Sequence, residues 1–116
     1  MKEAVPKKIR IMADYGIAYA WDEYGTNIGL AYSFEDYFNI RKIIALECKL
    51  RDWAFWFDSS DLEEKFPWVE FSIVGLGLAE ELARLIKGNG IKIVYCHPFE
   101  ENEDVSRKDI IIDKGF

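Results

Sequence analysis

The stretch Ile9-Arg10-Ile11-Met12-Ala13-Asp14-Tyr15-Gly16-Ile17-Ala18-Tyr19-Ala20-Trp21-Asp22 decides how this 116-residue chain is read. Ile9, Ile11 and Ala13 alternate with Arg10, Met12 and Asp14, the period of two that lays one face of a strand on a core. Asp14-Tyr15-Gly16 then turns the chain. Ile17, Tyr19 and Trp21 alternate with alanines, which predicts a hairpin partner, although Ala18 and Ala20 are weak strand formers.

Downstream, Asp22 to Gly29 reads as a loop through Gly25, Asn27 and Gly29. Ser33 followed by Asp36 is a helix-start signal: the hydroxyl accepts from an early backbone N–H and the carboxylate complements the helix dipole. One long helix is predicted to follow. Its apolar positions are Phe34, Tyr37, Phe38, Ile44, Ala45 and Cys48, with Arg41 in the same stripe, widened by Ile40, Ile43, Leu46, Leu50 and Trp53. Asp58-Ser59-Ser60-Asp61 ends it, and Ser60 with Glu63 forms a second capping-box pattern before Pro67. Trp68 to Lys87 reads as another helix, with Phe71, Val74, Leu78, Leu82, Leu85 and Ile86 on one side, stopped by Gly88-Asn89-Gly90. Ile91, Ile93 and Tyr95 alternate with Lys92, Val94 and Cys96 as a strand. Ile110-Ile111-Ile112 is a shorter one beyond the acidic run Glu100 to Asp104.

The expected architecture is α+β: a single domain over residues 1–116, with an antiparallel or mixed sheet of about four strands and two main helices packed on it, in the order ββααββ. There is no internal repeat. Half of the residues are hydrophobic, and a domain of this size buries roughly 65% of its unfolded surface.

Twenty-one acidic against fifteen basic residues give a net charge of −6. That balance repels phosphate backbones and anionic lipid, so it argues against nucleic acid or membrane as partner and favours basic proteins. It also serves plain solubility. Cys48 and Cys96 read as small buried hydrophobes that require no disulfide. Met1 to Lys8 carries positive charge without an apolar h-region, and no apolar run approaches the ~18 residues of a membrane span. A reducing, cytoplasmic setting is expected.

Phe71-Ser72-Ile73-Val74-Gly75-Leu76-Gly77-Leu78-Ala79-Glu80 is the segment closest to a chemical motif, since an apolar run, G-x-G and a helix open a dinucleotide-binding fold. Glu80 stands where that fingerprint needs a small residue, and its charge opposes phosphate. Too little chain follows Tyr95 for the remaining strands of such a half-domain. The favoured reading is a helix in which small residues let a neighbouring element approach, at a cost of about 1 kcal/mol each relative to alanine; a strand at Phe71–Val74 is the competing one. His97 is the sole histidine. It adjoins Cys96, but neighbouring strand residues point to opposite faces, so the two make no nucleophile pair and His97 reads as a strand-end polar residue. One histidine and two distant cysteines make no zinc site. No catalytic residue, metal or cofactor is expected.

The acid pairs Asp22-Glu23, Glu35-Asp36, Glu63-Glu64 and Glu80-Glu81 diverge on loops or helices and read mostly as solvated faces. Asp58, Asp61, Glu63 and Glu64, close to the aromatic run Trp53 to Phe57, form an acidic patch with aromatic neighbours. Such a surface suits a basic protein partner, because aromatic anchors supply binding energy and complementary charge raises the association rate. The same aromatics can equally close the core.

Ile11-Met12-Ala13-Asp14-Tyr15-Gly16, followed by Trp21 and Asn27-Ile28, resembles the N-terminal signature of small bacterial immunity proteins encoded beside contact-dependent growth-inhibition and other polymorphic toxins. The spacing of Phe71, Gly75, Leu78, Ala79 and Leu82 and the apolar strand ending at Tyr95 are similar too. Ile17-Ala18-Tyr19-Ala20 departs from the Cys-Trp-Pro-like run expected there. The resemblance implies a non-enzymatic inhibitor that binds a cognate, basic, nuclease-type toxin domain in the cytoplasm and occludes its substrate-binding face. On this reading the partner-binding residues are Trp21, Asp22, Glu23 and Tyr24 in one loop and Asp58, Asp61, Glu63 and Glu64 in another. The alternative is a small nucleotide-binding or regulatory module using Gly75-Leu76-Gly77.

Overall fold

Asp14 ends the first strand, and the chain reverses through Tyr15, Gly16 and Ile17, with positive φ at Gly16 (80°) and Ile17 (56°). Glycine adopts that conformation freely; a β-branched residue rarely does. The computed structural model describes residues 5–30, 33–60, 65–98, 101 and 110–112. Its elements are β1 (Lys8–Asp14), β2 (Ala18–Trp21), a single 3-10 turn (Ile28–Leu30), α1 (Phe34–Phe38), α2 (Ile43–Ser60), α3 (Trp68–Leu85), β3 (Lys92–Tyr95) and β4 (Ile110–Ile111). The fold is α+β, with the expected order of strands and main helices.

The sheet runs β2-β1-β3-β4 and is mixed. β1 pairs antiparallel with β2, with a register irregularity between Ile11 and Asp14, and parallel with β3, Ile9 opposite Ile93 and Ile11 opposite Tyr95. Those two rows make the core face, on which Ile9, Ile11, Ala13, Ile93 and Tyr95 are almost completely buried beneath α2 and α3. Met12, Val94 and Cys96, of the opposite parity, are buried as well. Trp21 helps to cover that second face: its indole Nε1 donates to the Met12 carbonyl at 2.9 Å.

The single long helix expected from Phe34 is two helices. Ser33 caps α1 in a reciprocal capping box with Asp36, as its spacing predicts. Asn39 then takes the left-handed conformation (φ 55°), its N–H returning to the Glu35 carbonyl, and stops the helix. Asparagine is tolerated there because its short polar side chain lowers the cost of positive φ. The break resets the helical phase. Ile43, Leu46, Leu50, Trp53 and Phe57 therefore form the core stripe of α2, while Ile44, Ala45 and Cys48 face outward. Cys48 is exposed, contrary to the expectation that it is buried; Cys96 is buried, and both thiols are free.

Phe71–Val74 is helical, within α3. Trp53 stacks on Phe71 with ring centroids 4.7 Å apart and planes 15° from parallel, and its Nε1 donates to the Phe71 carbonyl. Gly75 sits under that indole: a Cβ there would lie 2.5 Å from Trp53 and 2.6 Å from Tyr95. A Cβ at Gly77 would meet no described residue within 4 Å. The close approach expected of small residues is made at Gly75 alone. The Ser60–Glu63 capping pattern and most of the acidic run after residue 99 lie outside the described residues.

Candidate functional site

Of the residues expected to bind a partner, the structure describes Trp21, Asp22, Glu23, Tyr24 and Asp58, and it sets Asp58 apart from the other four. Trp21 is half-buried against β1. Asp22 organises its own loop, its carboxylate accepting from the backbone N–H groups of Tyr24 (2.9 Å) and Thr26 (2.8 Å). Glu23 accepts from the Lys7 backbone N–H at 3.1 Å, at the start of β1. Tyr24 is 85% exposed at the tip. Asp58 lies at the other end of β1: it follows Phe57, whose ring is 5.3 Å from that of Tyr15 in the β1–β2 turn. A strand of seven residues spans roughly 20 Å, so Glu23 and Asp58 do not form one patch. Asp61, Glu63 and Glu64 lie outside the described residues.

The fold gathers a different surface between α2 and α3. The helices run antiparallel, and a groove of about 400 Å³ opens between them, lined by Lys49, Asp52, Trp53, Trp56, Val74 and Leu78. Lys49, Asp52, Trp53 and Trp56 recur at steps of three and four, so they form one wall along α2; Val74 and Leu78 form the other. The apolar surface continues out of the groove over α3, where Ile73 is 64% and Val69 74% exposed. Charges border it. Glu70 stands one turn before Val74, Asp52 lines the α2 wall, and Lys49 meets Glu81 at 3.7 Å. That ion pair is solvent-accessible and contributes little to stability. The signal in the sequence was present: Val69 and Ile73 are large apolar residues off the buried stripe of α3.

Two buried polar clusters are not legible in the sequence. Glu47 is 4% exposed although charged. Its carboxylate accepts from the Tyr19 hydroxyl and, at 2.9 Å, from the backbone N–H of Phe34, the first residue of α1. One side chain of α2 thus ties β2 and the α1 N-terminus to the core, and the helix dipole favours a carboxylate there. Burial above all, with Glu47 adding to it, raises the Tyr19 pKa well above the ordinary 10.0. Burial likewise raises that of Tyr95. A tyrosine held neutral in this way contributes stability that is complete below the unfolded pKa of about 10 and declines as pH rises beyond it. Absorbance titration should show Tyr19 and Tyr95 still silent at pH 10; ionisation of either at that pH in the folded protein would refute this.

The second cluster joins α3 to the segment after β3. His97 Nδ1 lies 2.9 Å from Glu101 Oε1 and 3.2 Å from Ser72 Oγ, and Ser72 Oγ lies 3.5 Å from the same carboxylate oxygen. A carboxylate only accepts, so Nδ1 carries the proton toward Glu101. Serine and acid therefore engage the same ring nitrogen. A nucleophilic relay needs them on opposite nitrogens, with the hydroxyl reachable by substrate; Ser72 is buried. The cluster pins residue 101 to α3. The Tyr95 hydroxyl, buried in the same region, has no hydrogen-bond partner among the described residues.

Among the described residues, no group of three or more histidine, cysteine, aspartate or glutamate side chains could hold a metal ion, and no helix is long and apolar enough to cross a membrane. Gly75-Leu76-Gly77 forms part of a continuous helix, whose amides are engaged along the backbone rather than turned toward a phosphate. The chain matches no family model, no curated protein and no solved structure.

Proposed function

We propose that this chain is a binding protein that neutralises a basic, nuclease-type toxin domain in the cytoplasm by covering its substrate-binding face. The observation that carries this reading is the exposed apolar surface of α2 and α3 on a chain of net charge −6. Large apolar side chains left in water cost free energy that burial by a partner recovers, and clustered ones mark interaction surfaces. The acidic balance selects a basic partner and accelerates the encounter. The resemblance of Ile11–Gly16 to immunity proteins supports the same class. In this mechanism no bond is made or broken: acidic side chains meet the lysines and arginines that hold phosphate, and nucleic acid is excluded.

The test is co-expression with the C-terminal domain of a toxin encoded beside this chain's gene. Restored growth, and a stoichiometric complex in which nuclease activity is lost, are expected. Undiminished nuclease activity at equimolar chain would overturn the proposal. A rise in melting temperature with a nucleoside phosphate would point instead to a nucleotide-binding module, because a ligand of the folded state stabilises it by mass action.

A further inference from the structure

Resting on that reading, we infer that the α2–α3 face docks a basic protein segment, which seats one apolar side chain between Trp53 and Leu78 and sets lysine or arginine beside Asp52 and Glu70. The groove has room for a large side chain, at about 400 Å³; Trp53, Trp56, Val74 and Leu78 give it indole and aliphatic walls, and Lys49 and Asp52 complete the lining. Beyond it, Val74, Ile73 and Val69 carry the apolar contact over the crown of α3.

Gly77 adds an independent sign. It interrupts an exposed part of α3 at a cost of helix stability, yet no described residue packs into the space it leaves. It lies one turn after Ile73, where a bare backbone lets another molecule come close.

Charge chooses the occupant. A second copy of this chain would bring another net −6 against this face, so self-association is opposed; Lys49, the cation in the lining, is engaged by Glu81, and a cationic segment gains at Asp52 and Glu70. Recognition then falls on α2 and α3 rather than on the Trp21–Tyr24 loop.

The test titrates the isotopically labelled full chain with a short amphipathic leucine–lysine peptide and, separately, a leucine–glutamate peptide of the same pattern, following amide and indole resonances. Shifts centred on Trp53, Trp56, Val74 and Gly77 with the cationic peptide, weakened by salt, are expected. Shifts centred elsewhere, or equal binding of the acidic peptide, would overturn the inference. Ile73→Asp, at an exposed helix position, should weaken binding by about tenfold or more while the melting temperature holds. Should that variant unfold, charge reversal at Asp52→Lys with Glu70→Lys probes the same face without touching its apolar residues and should abolish the preference for the cationic peptide; an unchanged preference counts against the inference. Growth protection separates the two claims. If wild type and Ile73→Asp protect equally, this face is not the docking surface although the chain is still an inhibitor. If the wild type gives no protection, the functional reading fails and the peptide map alone judges the face.

Discussion

Gly75→Ala is expected to lower the stability of the fold by about 3 kcal/mol, whereas Gly77→Ala, two residues along the same helix, is expected to raise it by up to about 1 kcal/mol. Intrinsic helix propensity favours alanine equally at both positions, so any difference comes from what each Cβ meets. At Gly75 it meets the Trp53 and Tyr95 rings at 2.5 and 2.6 Å, both buried and hemmed in by Phe71 and the sheet. Neither ring can swing into solvent. The indole would have to leave its stack on Phe71 and its hydrogen bond to the Phe71 carbonyl, so the cost sits at the upper end for overpacking. At Gly77 the Cβ meets open space. Urea unfolding of the two variants measures the contrast, and in melting temperature the Gly75 variant should fall by about 10 °C or more. Equal stability of the two alanines would show that α3 is not pressed against Trp53 as described.

Replacement of Glu47 is the second large effect. Glu47→Ala strands the Phe34 N–H in the core, takes from the Tyr19 hydroxyl its carboxylate acceptor and opens a cavity, so a loss of about 3 kcal/mol is expected. Glu47→Gln keeps one carbonyl oxygen for Phe34 but replaces the acceptor facing Tyr19 with a donor, and should cost less. The Tyr19–Glu47 coupling follows from a double-mutant cycle with Tyr19→Phe: the phenylalanine change should cost clearly less in the Glu47→Gln background than in the wild type. Strict additivity would mean that the two side chains do not interact. Loss of Glu47 should also free Tyr19 to titrate nearer pH 10, because the carboxylate is one of the causes that raise its pKa.

The hairpin, the α1 cap and both outer strands were readable because each rests on local chemistry. Alternation from Ile9 to Ala13, the Ser33–Asp36 box and the glycines after α3 act within a few residues. The break at Asn39 is not legible in the sequence, since the apolar stripe runs through it; one left-handed residue shifts the phase and moves Cys48 from the core to the surface. Glu47 and Ser72 are illegible for a related reason. Each lies on the buried arc of its helix, but its partners, Tyr19 and Phe34 for one and His97 and Glu101 for the other, come from distant parts of the chain. For the candidate surface, the acidity and the apolar Val69 and Ile73 are visible in the sequence. Which of them share a face depended on how α2 packs against α3, a tertiary fact no spacing rule contains.

The central strand pair has a consequence for synthesis. Lys8 to Ile11 pair in parallel with Lys92 to Tyr95, so β1 emerges from the ribosome 84 residues before the strand that completes its centre. At ordinary elongation rates that interval is on the order of ten seconds. During it β1 has only β2 as a sheet neighbour, and its other edge, along with Ile9 and Ile11, stays open to mispairing until α3 is followed by β3. A nascent chain of this protein therefore depends, for that interval, on the β1–β2 hairpin and on early docking of α2 to keep its first strand from other chains.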